Sequence, residues 1–225
     1  MQIRKILLAG ILAVLAGCSA GTAAGRRGKD VYPDFASLKA ANTAGLDYSR
    51  EVYDRGSKVA VFAIHGGDIE GATARVARRV AGRDFNLYIF NGWQGANNFR
   101  LHITATHFDD PDAVRLATSS VLGISIHGQA ARGSWACVGG RNFSAAHLVV
   151  QRLEAAGFAT ETPCSRLPGV DSRNIANLPS AGGVQLEITQ RLLNRLDKDA
   201  AELSKFSEAL RQAAAEYLSS AAVKE

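Results

Sequence analysis

The segment Lys58-Val-Ala-Val-Phe-Ala-Ile-His-Gly-Gly-Asp-Ile-Glu70 constrains this chain more than any other. Val59 to Ile64 is an unbroken apolar run rich in β-branched and aromatic residues, the pattern of a strand covered on both faces. Strands of that kind occur in sheets sandwiched between helices, which argues for an α/β layer structure rather than a bundle or a β-sandwich. The run stops abruptly at His65, two glycines and two carboxylates. In open α/β sheets the carboxyl edge of the strands is where ligands bind. Gly66 and Gly67 permit a tight turn or a close backbone approach there, and Glu70 brings a hard oxygen back towards the imidazole before Thr73 to Val80 continue as a helix.

The alternation of apolar runs with helical patterns extends along the chain. Strands are expected near 58–64, 85–90, 101–107, 121–127, 135–138, 158–162 and 183–188, and helices over 72–81, 111–119, 143–156 and one long stretch from about 190 to 218. Pro111 after Asp109-Asp110 and Gly157 after Ala156 supply start and stop signals. The last stretch sets Leu203, Phe206, Leu210, Ala214, Tyr217 and Leu218 opposite Glu202, Lys205, Glu208 and Arg211, an amphipathic face that docks on the domain or on a partner. The expected fold is one α/β domain over residues 31–225, a mixed central sheet with helices on both faces, large enough for a substantial core.

Residues 1–18 read as an export leader: Arg4 and Lys5, an apolar centre from Ile6 to Leu15, and the small-residue end Leu15-Ala-Gly-Cys18. The apolar centre is too short to span a bilayer permanently. Leu-Ala-Gly-Cys resembles the bacterial lipobox, which implies cleavage before Cys18 and a lipid on that cysteine. Ser19 favours the outer membrane, facing the periplasm or the cell surface. An ordinary secreted leader with an incidental cysteine is the alternative. Residues 19–30, rich in Ala, Gly and Ser, read as a flexible tether. Losing Arg4 and Lys5 lowers the net charge from +5 to +3, and no basic stripe interleaved with aromatics suggests a nucleic-acid partner. With Cys18 lipidated, Cys137 and Cys164 remain in an oxidising compartment. They either form a disulfide or stay as two small hydrophobes, and spacing alone does not decide.

His65 and Glu70 are half of a catalytic zinc site, which needs three protein ligands and an open fourth position. His127 is the best third ligand: it ends the run Val121-Leu-Gly-Ile-Ser-Ile126 and precedes Gly128, repeating the His-Gly strand ending. His102 and His107 fall on opposite faces of Leu101-His-Ile-Thr-Ala-Thr-His107 if that strand is regular. Either could orient a ligand or take the place of His127. His147, on a helix without acidic or histidine companions, reads as structural. A zinc site that activates water needs a base, and in Gly183-Val-Gln-Leu-Glu-Ile-Thr189 the alternation puts Gln185, Glu187 and Thr189 on one face. Glu187 is the candidate base and Gln185 a candidate substrate contact. A solvated edge-strand acid is the alternative for Glu187.

In sequence order, His65-Gly-Gly-Asp-Ile-Glu-Gly-Ala-Thr73, Tyr88-Ile-Phe-Asn-Gly92, Leu101-His-Ile-Thr104, His107-Phe-Asp109, Ser125-Ile-His-Gly128, Val138-Gly-Gly140, Asn174-Ile-Ala-Asn177 and Gly183-Val-Gln-Leu-Glu187 span most of the chain. Together they resemble the bacterial and phage poly-γ-glutamate hydrolases, whose fold is similar to that of zinc carboxypeptidases. The resemblance implies one Zn2+ per chain on His65, Glu70 and His127, with Glu187 as general base. It further implies hydrolysis of γ-glutamyl amides in an acidic polymer. Ala176 and Leu178 stand where the family has a cysteine and an arginine. A substrate with one carboxylate per unit calls for cationic contacts, and Arg100 and Arg173 are the candidates, with Asn174, Asn177, Gln185 and His102 as further substrate contacts. Two alternatives stay open. A lipid-anchored envelope enzyme could act on the γ-D-glutamyl links of a peptidoglycan peptide, or a non-catalytic lipoprotein could bind an acidic polymer through the same rim.

Overall fold

A computed structural model describes residues 30–222. The leader with Cys18, and the tether apart from Asp30, lie outside the described residues. The strands are β1 (Tyr48–Tyr53), β2 (Val59–Gly67), β3 (Asn86–Gly92), β4 (Leu122–Gln129), β5 (Trp135–Gly140), β6 (Ala159–Glu161) and β7 (Gly183–Thr189). The helices are α1 (Phe35–Ala41), α2 (Thr73–Ala81), α3 (Pro111–Thr118), α4 (Phe143–Ala155), α5 (Gln190–Lys198) and α6 (Ala200–Ala222). The seven strands form one mixed sheet in the order β1-β3-β2-β4-β7-β5-β6. Strands β3, β2, β4 and β7 run parallel, while β1 and β5 oppose their neighbours β3 and β7.

Side-chain alternation sorts each central strand between two cores. Val59, Val61, Ala63, Ile124, Ile126, Val184, Leu186 and Ile188 pack against α2, α4, α5 and α6 through Val76, Val80, Leu153, Leu193, Phe206 and Leu210. Ala60, Phe62, Ile64, Tyr88 and Phe90 pack on the opposite face against Phe35, Leu38, Leu101, Ile103, Phe108 and Leu116. Both faces are therefore covered, which is why the central strands read as continuous apolar runs. Strand β2 lies between β3 and β4, so the chain crosses from one side of β2 to the other after β3. Such a crossing opens a crevice at the carboxyl ends of the strands.

Two local expectations need correction, and two elements carry no expectation. Residues 101–107 form no strand: Gly95–Leu101 is a 3-10 turn, and residues 102–107 have no regular secondary structure. Leu101 and Ile103 are buried as alternation demands, but the backbone bonds locally, with His102 N–H on Phe99 O and His107 N–H on Thr104 O. Asp30 takes the Thr104 N–H, so the segment has no strand partner. The expected long carboxyl-terminal helix is broken at Asp199, whose backbone is extended and whose carboxylate caps α6 through the N–H groups of Ala201 and Glu202. Finally, α1 and the edge strand β1 went unread, because Tyr48-Ser-Arg-Glu-Val-Tyr53 shows no clean alternation. Among the described residues no helix is long and apolar enough to cross a membrane.

Candidate functional site

Three strand ends and one loop build the site. Strand β2 shifts register against β3 between Ala63 and Gly66, and past that shift His65 turns its ring towards β4 and the Leu101–Ile103 segment. A β-carbon on Gly66 would sit 2.6 Å from Asn91 Oδ1, and Gly67 has φ +68° with Gly92 pressed against it. Glycine at both positions lets the chain turn hard enough to return Glu70. The turn closes with Glu70 N–H on His65 O at 2.9 Å, and Glu70 Oε2 accepts the Gly128 N–H of β4 at 2.9 Å.

The donor atoms converge. His65 Nδ1 lies 3.1 Å from Glu70 Oε1 and 3.2 Å from His127 Nδ1, and His127 Nδ1 lies 3.5 Å from Glu70 Oε2. His65 Nε2 meets the Ile103 carbonyl at 2.8 Å. A carbonyl only accepts, so Nε2 holds the proton and Nδ1 offers its lone pair in the neutral ring. His127 Nε2 is held by Ser125 Oγ at 2.9 Å. Both imidazoles are buried. Burial alone would raise the Glu70 carboxyl, but it is held well below the usual range by the charge and hydrogen bonds that the two imidazoles offer it when protonated, the His65 charge first. The three side chains form a group that could hold a metal ion.

Glu187 is brought beside this group by strand register. It pairs with His127 across the parallel β4–β7 ladder, where neighbouring strands are about 4.8 Å apart and paired side chains share a face. Cys137 of β5 pairs with Glu187 from the other side and is disulfide-bonded to Cys164. Gln185 donates to Glu187 Oε1 at 2.9 Å, and Asn174 donates to Gln185 Oε1 at 2.6 Å.

The remaining candidates divide. His102 stacks on His65, with ring centroids 4.0 Å apart, and its Nδ1 meets Asp30 Oδ1 at 2.9 Å. Burial, with His65 adding to it and Asp30 opposing, pushes His102 down to about 4. It is therefore neutral at pH 7 and donates Nδ1–H to the carboxylate. His107 lies 3.8 Å from the same carboxylate, half exposed. With no regular strand between them, His102 and His107 share a partner, contrary to the opposite-face expectation. Asn177 Nδ2 donates to Gly169 O and Asp171 O while its Oδ1 accepts the Arg141 N–H, and Arg173 is turned to Asp171 at 2.8 Å. These contacts brace the segment leading to β7. Arg100 is exposed on the 3-10 turn that carries Phe99, and His147 lines a groove with Phe143 and Pro168 on the other side of β5.

Sequence reasoning missed Asp30, assigned to the tether, and Ser125. Nothing local marks Asp30, because its partner lies 72 residues on. Ser125 did carry a signal, since it sits two residues before His127 on the same strand face.

Against known proteins, residues 32–218 match the family model for poly-gamma-glutamate hydrolase. The chain belongs to the poly-γ-glutamate hydrolase family. Within it, the chain is 39% identical over 164 residues to the UPF0714 protein YndL of Bacillus subtilis (strain 168), covering 72% of this chain and 64% of YndL. It is also 39% identical over 163 residues to the SPbeta prophage-derived UPF0714 protein YoqZ of the same organism, covering 71% of this chain and 59% of YoqZ. The matches thus span less than two thirds of those relatives. A bacteriophage poly-gamma-glutamate hydrolase superposes with a TM-score of 0.80 at 33% identity, covering 85% of this chain and 99% of the phage protein. A zinc-free apo form of YndL superposes with a TM-score of 0.75 at 33% identity, covering 82% and 97%. The fold of this poly-γ-glutamate hydrolase family member is therefore the α/β fold of those two structures.

Proposed function

We propose that this chain is a zinc-dependent hydrolase of γ-glutamyl amide bonds in poly-γ-glutamate or a similar acidic polymer. His65, Glu70 and His127 are the metal ligands and Glu187 the general base. The observation that carries the reading is the convergence of two imidazole nitrogens and one carboxylate beside a second, buried carboxylate. Tetrahedral zinc with bonds of about 2.0–2.1 Å needs its donors roughly 3.3 Å apart; the two Nδ1 atoms are 3.2 Å apart, and the Glu70 carboxylate faces them with Oε1 3.1 Å from His65 Nδ1 and Oε2 3.5 Å from His127 Nδ1. Two histidines and a glutamate also match the ligand set of catalytic zinc proteases. Family membership and the zinc-free description of the YndL structure support the choice of ion.

Zinc held there would supply Lewis-acid polarisation of the scissile carbonyl and lower the pKa of a neighbouring water. The chain's own residues do the rest. Ile103 O and Ser125 Oγ fix the ring orientations of His65 and His127, the kind of outer support that ligating imidazoles generally need. The Gly128 N–H holds Glu70. Glu187 takes the proton from the attacking water and returns it to the leaving nitrogen. Its burial keeps bulk water from competing. The leader ending in Leu15-Ala-Gly-Cys18 supports placing this activity outside the cytoplasm on a lipid at Cys18.

The test uses protein lacking residues 1–18. About one zinc per chain is expected, lost in His127→Ala, together with shortening of poly-γ-glutamate. Glu187→Gln should keep its zinc and lose roughly 10²–10⁴-fold in kcat. A wild type that takes up no zinc, or an unimpaired Glu187→Gln, overturns the reading.

A further inference from the structure

A chain of side-chain amides runs into Glu187, and its direction is fixed at both ends. Asn174 Oδ1 accepts the Ala176 N–H at 3.0 Å. Asn174 Nδ2 donates to Gln185 Oε1 at 2.6 Å, and Gln185 Nε2 donates to Glu187 Oε1 at 2.9 Å. A carboxamide can be turned over, exchanging its oxygen and nitrogen. Here the peptide N–H at one end can only donate and the carboxylate at the other can only accept. One ordering of the two amides satisfies both ends, so the peptide group of Ala176 selects which side of Gln185 faces Glu187.

The start of this relay is firmly seated. Ala176 O rests between β4 and β7, where a β-carbon on Gly123 or Gly183 would collide with it. Asn177 clasps Gly169 O and Asp171 O at 2.7 and 2.8 Å, and a β-carbon on Gly169 would lie 2.9 Å from the Gln185 amide carbon. Cys164 ties the same segment to Cys137, the cross-strand neighbour of Glu187. Residues 164–177 thus form a strap laid against β5 and β7. Asn174, Gln185 and Glu187 are all buried, where a hydrogen bond is stronger than in water and a mismatched one costs more.

We propose that Asn174 and Gln185 are positioning residues, through which the strap fixes the orientation of the Glu187 carboxylate by the order of their amide oxygens and nitrogens. The proposal rests on the reading of Glu187 as the base. It assigns these two side chains to the machinery of the base rather than to contact with substrate.

Asn174→Asp tests it, because the change is nearly isosteric but replaces the donor by an acceptor. Gln185 then lies between two carboxylates that compete for its NH2, and Glu187 loses that donor whenever the amide turns towards residue 174. Asn174→Ala removes the pull and leaves the carboxylate to hold Gln185 in its original sense. The expected result is that Asn174→Asp loses at least about tenfold in kcat, with KM within about twofold, zinc content unchanged and a smaller loss in Asn174→Ala. A merely structural asparagine gives the opposite order, the deletion costing more than the isostere. The Gln185 side-chain NH2 resonances, identified by their absence in Gln185→Met, should also move in Asn174→Asp. That readout needs no turnover, so a wild type without hydrolase activity would sink the functional reading while the resonances still judge the relay. Asn174→Asp with near wild-type kcat, the reversed order of losses, or unmoved Gln185 resonances would overturn the proposal.

Discussion

Tyr88 shows how a single buried side chain ties stability to pH. Its hydroxyl donates to Asp110 Oδ2 at 2.6 Å, and Asp110 also accepts from Arg50 Nη1. Burial first, and then the Asp110 charge, push the phenol well above its usual 10.0, with Arg50 opposing. The folded chain therefore keeps this proton at pH values where the unfolded chain begins to lose it. The resulting stabilisation is complete below about pH 10 and is lost as pH rises above it. Tyr88→Phe should cost about 1–3 kcal/mol near pH 8, because a buried charged group loses a donor. The same variant should show a shallower loss of stability between pH 9 and 11, measured by denaturant unfolding; parallel curves for the two proteins would refute the assignment. Spacing reveals that Tyr88 sits in a strand but not that its hydroxyl ends on a carboxylate in a following helix cap. His127 and Glu187 were legible because each lies near the end of an apolar run, where period two fixes the face, whereas His65 was marked by the end of its run but owes its face to the register shift after Ala63. Which atom of Asn174 donates, and to what, has no counterpart in spacing at all.

Elements were readable where both faces of a strand are covered, and unreadable where pairing is one-sided or local. The run Leu101-His-Ile-Thr104 has strand-like burial without a ladder, since its amides are used by Phe99 and Asp30. The break between α5 and α6 did leave a mark. Asp199 followed by Glu202 is the spacing of a capping box, although Glu202 here turns to Arg195 instead of closing it. Asp199→Ala should destabilise the protein by about 1 kcal/mol with little change in zinc content, checked by thermal unfolding and metal analysis. A loss of metal in that variant would mean that the α5–α6 corner supports the site more directly than its contacts indicate.

At the scale of the molecule, the proposed ligands come from β2, the β2–α2 turn and β4, which meet only in the folded sheet. A metal bound there stabilises the native state alone, by about 4 kcal/mol when its concentration is a thousand times Kd. For a domain of this size that corresponds to roughly 8–16 °C in Tm. Chelation should lower Tm by about that much and resupplied zinc should restore it; a Tm indifferent to chelation would count against the site. Both cores follow from alternation, so the rim on which the site stands could be read from residues alone, whereas the strand order has no counterpart in the spacing of residues. What could not be read is where the working unit begins. Similarity to the family starts at residue 32, yet the carboxylate that grips the ring stacked on His65 belongs to Asp30. A fragment trimmed to the homologous boundary would retain every proposed ligand and the proposed base, and would still lack one wall of the site.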